Sequence, residues 1–166
     1  YAQTCGIFNP LLQIEKLGYD VSFEKISPRT SSVVIEPYDI DMTKVLVDEQ
    51  AHEVHIGEKQ KLDYAGFLKG FVAERIAESL SSFYGVIVNI GGDIFTHGFD
   101  TNGQKFLFNF YNPITDTFSE AFPLHNEAMA TSGTYKRSWV VGEKKVFHII
   151  DASLENPASN LVSATI

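Results

Sequence analysis

Two residue pairs in this chain have types and spacings that suit chemistry. His148 and Asp151 lie three apart in VFHIID, ahead of a turn containing Pro157. Such a pair can set an imidazole beside a phosphate while the acid orients a neighbour. The same two types also serve as a satisfied core histidine and a turn-forming aspartate. Asp63 and Lys69 stand on either side of a glycine turn at Gly66. A helix starting after such a turn offers unpaired N–H groups and a positive dipole end, which suit an anion. A packed helix–strand unit with no ligand explains the same residues. Lys69, in the first helical turn, suits an anion or a carboxylate. Thr131 and Ser132 can hydrogen-bond a ligand or cap a turn. His52, His55, His97 and His125 fall outside these groupings and read as surface or structural residues. Ser132 lacks a G-x-S-x-G elbow, so a Ser-His-Asp hydrolase is a poor reading.

The element that must position Lys69 is an amphipathic helix. Leu68, Val72, Ile76 and Leu80 fall four apart, with Ala73 and Phe83 beside them. Lys69, Glu74, Arg75 and Glu78 take the other side. Gly85 ends the helical region, and Val86, Ile87 and Val88 begin a buried strand over 84–90. Gly91-Gly92-Asp93 predicts a tight connection to an antiparallel neighbour over 94–99. Further strands are expected at 33–35, 45–47, 52–56, 105–111, 118–123, 127–131, 139–141, 146–150 and 161–166. In 105–111 the alternation puts Phe106, Phe108 and Phe110 on one face. SPRTSS at 27–32 reads as a loop. The sum is an α+β fold, a mostly antiparallel sheet with a central amphipathic helix.

Composition narrows the class. The chain has 166 residues, 44% hydrophobic and 20% charged, which suits one globular domain. Its net charge of −8 argues against a nucleic-acid partner. No apolar run reaches membrane-spanning length. The single Cys5 excludes an internal disulfide and a cysteine metal cluster. The 13 Phe and 7 Tyr point to an aromatic-rich core or ligand pocket.

The stretch LDYAGFLKGFVAERIAESLSSFYGVIVNIGGD resembles the L-D-x-G-G-I-A-K-G-Y-A-x-D segment of the ApbE family and its N-L-G-G-D strand end. These are the FAD:protein FMN transferases. TCGIFNP at 4–10 is similar to the family's T-D-G-A-F-D-P, and ATSGTY at 130–135 to A-T-S-G-D-Y. HIID at 148–151, followed by Pro157 and NLVSATI, is similar to H-I-I-D-P-x-T-G-x-P and its strand. Four blocks occur in the family's order. They cover the chain but only the core portion of a single family domain, which reads as truncated at both ends.

The resemblance implies a flavin site. Ile7, Phe8 and Asn9 would contact FAD, with Asn9 standing where the family has aspartate. Asp63 and Lys69 would also touch FAD, and Ile150 would line the flavin pocket. The carbonyl of Gly66 would ligate Mg²⁺, and His148 is the candidate catalytic histidine. The reaction implied is Mg²⁺-dependent transfer of FMN from FAD to a threonine hydroxyl of an acceptor flavoprotein in an electron-transfer system, releasing AMP. The alternatives are a FAD pyrophosphatase giving FMN and AMP, and a non-catalytic flavin-binding scaffold. The resemblance also implies an exported lipoprotein, at the cell surface or in the periplasm, joined to the membrane only by a lipid anchor outside this chain. Two departures stand out. Ala152, Leu154 and Glu155 replace proline, threonine and glycine of the family turn. The family's side-chain metal ligands, on an A-D-A-x-x-T helix, are expected beyond Ile166, so the chain by itself is expected to be weak or inactive.

Overall fold

A computed structural model describes residues 1–19, 30–31, 38–141, 143–150 and 161–166. The chain folds as two units: Tyr1–Tyr64 with Lys136–Asn160, and Ala65–Tyr135 with Leu161–Ile166. The expected strand at 33–35 lies outside the described residues, as do Asp151 and Pro157.

In the first unit, β1 (Thr30–Ser31) runs parallel to β12 (Ser138–Val141), which pairs antiparallel with β13 (Lys144–Phe147). Trp139 is fully buried on β12. Tyr19 meets it edge-on, with ring centroids 5.3 Å apart, and Val141, Val146 and Ile150 pack around it. A separate hairpin joins β2 (Leu46–Asp48) to β3 (Glu53–His55), close to the expected strands at 45–47 and 52–56.

The second unit is built on the predicted hairpin. β4 (Gly85–Ile90) pairs antiparallel with β5 (Asp93–Gly98), and Ile90 faces Asp93 across a two-residue loop. Gly91 and Gly92 have φ of 61° and 101°, as a primed hairpin turn demands. Gly92 N–H donates to Asn89 Oδ1 at 2.9 Å, closing the turn. On its other side β5 pairs with β10 (Ala128–Met129). Ile94, Leu124 and Met129 are buried together, with Phe108 packed against them. At the open end of the hairpin Gly85 faces Gly98, and a Cβ on Gly98 would meet the Tyr84 carbonyl. Gly98 also has φ 72°. We predict that Gly98→Ala lowers stability by about 2 kcal/mol or more, through backbone strain and overpacking. Thermal unfolding checks this.

The helix α1 (Leu68–Ser79) packs on β4 and β5. Its existence matches the periodicity, but its buried face does not. Ala73 and Ala77 are fully buried, whereas Leu68, Ile76 and Leu80 are 44%, 40% and 37% exposed. The Leu68–Val72–Ile76–Leu80 row lies one residue, about 100°, round the helix from the alanine row. Small alanine side chains let the helix approach the sheet closely. The helix also ends at Ser79, and Gly85 opens the strand rather than closing the helix.

The expected strand at 105–111 is interrupted. β6 (Phe106–Phe108) pairs with β9 (Phe122–Leu124), and β7 (Tyr111–Asn112) with β8 (Thr117–Phe118). Between them Ser119 breaks the ladder. Its hydroxyl accepts from Phe110 N–H, and its carbonyl accepts from Asn109 Nδ2. β11 (Thr131–Gly133) pairs with β14 (Ser163–Thr165). Among the described residues every pairing but β1–β12 is antiparallel, as the α+β reading expects. No helix among the described residues is long and apolar enough to cross a membrane.

Candidate functional site

In the first unit the structure joins two of the motif blocks. Thr4 shapes the first loop: its hydroxyl accepts from Phe8 N–H at 3.0 Å, and its carbonyl accepts from Ile7 N–H at 3.0 Å. Ile7 is left 72% exposed, an apolar side chain held out on a tied backbone. Pro10, which ends this loop, accepts from Asp63 N–H at 2.7 Å through its carbonyl. Ile7, Phe8 and Asn9 are thereby set on a segment bonded to the backbone of Asp63, whose side chain is half-buried.

Asn9 differs in kind from its neighbours. It is 5% exposed, and both ends of its amide are engaged within the unit. Nδ2 donates to Ile40 carbonyl at 3.0 Å, and Oδ1 accepts from Leu11 N–H at 2.9 Å. The Ile40 segment is itself pinned. Asp39 bonds Lys44, and Asp41 caps the following turn by accepting from Thr43. These bonds hold both carboxyls below the usual carboxylate range, Asp39 chiefly through Lys44 and Asp41 chiefly through the Thr43 hydroxyl. Asparagine at position 9 thus does what aspartate cannot, because an ionised carboxylate has no donor for a carbonyl. We predict that Asn9→Asp costs about 1–3 kcal/mol at neutral pH, the penalty of a buried, mispaired charge. Burial beside a carbonyl raises the new carboxyl above its unfolded value of about 3.9. The deficit is therefore complete above the folded pKa and disappears as pH falls below the unfolded one. Denaturant melts across pH read this directly.

His148 follows β13 directly, and its Nδ1 is buried. Ile150 packs on Trp139, so this segment is seated on the core of its unit. Asp151, the other half of the pair, lies outside the described residues.

In the second unit Gly66 sits in an exposed turn before α1. The helix N-cap is Phe67, without a side-chain cap bond. Lys69, in the first turn, has a carboxylate partner. Its Nζ lies 3.0 Å from Asp93 Oδ2, with Asp93 17% and Lys69 43% exposed. Asp93 is the residue that sequence reasoning passed over, treating it as the end of a turn. A cation in the first turn of a helix, and an acid closing a Gly-Gly hairpin beneath that helix, is the signal that could have found it.

Thr131 and Ser132 lie on β11, where Thr131 and Thr165 hydroxyls are 2.9 Å apart. Gly133 admits the Tyr135 ring, which a Cβ would meet at 2.6 Å. His125 is structural: it stacks on Phe99 with centroids 4.1 Å apart, and its Nδ1 lies 3.1 Å from Gly98 carbonyl. His55 faces Glu53 at 3.4 Å on an exposed hairpin. Among the described residues no group of three or more His, Cys, Asp or Glu side chains is placed to hold a metal ion.

The model of the ApbE family matches residues 1–166. The chain is 30% identical over 133 residues to the FAD:protein FMN transferase of Buchnera aphidicola, and 28% identical over 122 residues to that of Klebsiella pneumoniae. These matches take in 74% and 70% of this chain but 38% and 37% of the relatives. Among solved structures, the ApbE protein of Thermotoga maritima superposes with a TM-score of 0.77 at 25% identity, over 99% of this chain and 55% of that one. The flavin transferase ApbE of Vibrio cholerae shares the fold, with a TM-score of 0.60 over 76% of this chain and 41% of that one. The chain spans about half the length of the proteins it matches, or less. With its motif blocks in order and its whole length matched, the chain belongs to the ApbE family.

Proposed function

We propose that this chain is the flavin-handling part of a FAD:protein FMN transferase. The observation that carries the reading is the bond from Asp63 N–H to Pro10 carbonyl, which ties two motif blocks far apart in sequence into one piece of backbone. The names of the relatives support FAD as the substrate. In the reaction, a threonine hydroxyl of an acceptor flavoprotein attacks the FMN-side phosphorus of FAD. A new P–O bond forms as the bond to the bridging oxygen breaks, and AMP leaves with that electron pair. His148 takes the hydroxyl proton, a role neutral imidazole fills near pH 7. Lys69 offsets charge on the phosphate oxygens. Exposed Ile7, with part-buried Phe8 beside it, offers apolar surface to the ring system, and Ile150 stiffens the segment carrying His148. The carbonyl of Gly66 would be one ligand of Mg²⁺. Among the described residues no group of three or more His, Cys, Asp or Glu side chains completes such a site. The acceptor, in this reading, belongs to an electron-transfer system outside the cytoplasm, and the enzyme reaches the membrane through a lipid anchor.

Incubation with FAD in the absence of any acceptor separates the two enzymatic readings. A transferase keeps FAD intact over many hours. Steady release of equimolar FMN and AMP would instead mean that water is the acceptor and the protein is a pyrophosphatase.

A further inference from the structure

We propose that Asp93 is the positioning residue for Lys69, fixing the ammonium for the diphosphate of FAD. The inference rests on the transferase reading above. The second unit supplies its geometry. The Lys69 stem runs along the hairpin tip, where a Cβ on Gly91 would stand 4.0 Å from Lys69 Cδ. The ammonium then reaches Asp93 Oδ2 at 3.0 Å. Asp93 closes the two-residue Gly91-Gly92 loop opposite Ile90, so hairpin register fixes its position. The turn is locked again by Gly92 N–H on Asn89 Oδ1.

A lysine ammonium carries three N–H donors. Asp93 occupies one and leaves two in a set direction for phosphate oxygens. Lysine otherwise carries a large rotamer entropy, which a phosphate contact from a free side chain must overcome. The pair removes that loss before the ligand arrives. Stability is a poor reason for the pair, since a half-exposed ion pair adds little to folding. Charge works the other way: the carboxylate repels the diphosphate. Its ammonium contact screens that repulsion, and the ordering gain acts at hydrogen-bond distance, so ordering prevails.

The test is a double-mutant cycle on FAD binding, read by flavin fluorescence, with Asp93→Ala, Asp93→Glu, Lys69→Met and the Asp93→Ala/Lys69→Met double variant. Asp93→Ala is expected to weaken FAD binding about tenfold, the scale of one ordered charge-assisted contact. Asp93→Glu recovers most of the loss, and the double variant is no weaker than Lys69→Met alone. Melting temperatures of all variants stay within a few degrees of the parent, which separates positioning from folding. Equal or tighter FAD binding by Asp93→Ala overturns the assignment while leaving the transferase reading intact. Additive losses in the cycle also overturn it, since Asp93 would then act independently of Lys69. Absence of FAD binding by the unsubstituted protein defeats the transferase reading and this assignment with it. If Asp93→Ala unfolds, Asp93→Asn replaces it in the same cycle with a smaller expected loss, about threefold, since the amide oxygen still accepts from the ammonium but without charge.

Discussion

Replacing His148 by alanine is expected to abolish flavin transfer while FAD binding survives. The argument starts from seating. His148 follows a four-residue strand paired along its length with β12, and two residues on, Ile150 packs against buried Trp139. Its Nδ1 is buried, so the ring turns one nitrogen into the unit. A ring held in this way is oriented, and an oriented imidazole is what proton transfer needs. General-base catalysis contributes about 10²–10⁴ in rate. The loss should fall in that range and should appear in kcat rather than in FAD affinity, because the proton moves only in the transition state. His148→Gln is the companion variant: it keeps hydrogen-bonding capacity but cannot take the proton, and it should be as inactive as alanine. Single-turnover assays with saturating FAD measure both. Transfer at near parental rate in His148→Gln would make His148 a structural residue.

Asp63→Ala is expected to weaken FAD binding by a factor of about 10 to 100, with little effect on folding. An ionised carboxylate only accepts hydrogen bonds, and a diphosphate carries no donor to give it. In the proposed site Asp63 would therefore meet the hydroxyl or N–H groups of FAD, leaving the phosphates to cations and backbone amides. A charge-assisted hydrogen bond contributes about 1.5–3 kcal/mol, which sets the expected factor. The bond that holds this segment to Pro10 comes from the Asp63 backbone, so side-chain removal leaves it in place. Asp63→Asn should lose part of the affinity, since an amide still accepts but without charge. Titration of flavin fluorescence decides the matter. Unchanged affinity in Asp63→Ala would remove Asp63 from the site.

How much of this was legible in the chain varied with the range of the interaction. The hairpin of β4 and β5 was readable because a β-branched run met Gly91-Gly92, a strictly local signal. The helix was readable as a helix, but its buried face was not. Periodicity counts large apolar side chains, and here Ala73 and Ala77 make the contact while Leu68, Ile76 and Leu80 stay part-exposed. The 105–111 strand looked continuous because its alternation is regular. Its interruption comes from Ser119 on the returning chain, which no local pattern records. The candidate site divides in the same way. The motif blocks announced Ile7, Phe8, Asp63, Lys69, Gly66, His148 and Ile150 by resemblance. The partner of Lys69 emerged only when the hairpin was folded under the helix. The choice of asparagine at position 9 made sense only once the Ile40 carbonyl stood opposite its amide.

The most direct test of the central claim compares two acceptor proteins in one single-turnover reaction. One presents its threonine, and the other has that threonine replaced by valine. The full-length protein that carries this chain is mixed with FAD and Mg²⁺, and the acceptors are denatured in acid and examined by intact mass and flavin fluorescence. The account predicts covalent flavin on the threonine acceptor alone, with one AMP released per flavin attached. Consumption of FAD with no flavin on either acceptor, or equal labelling of both, would contradict it.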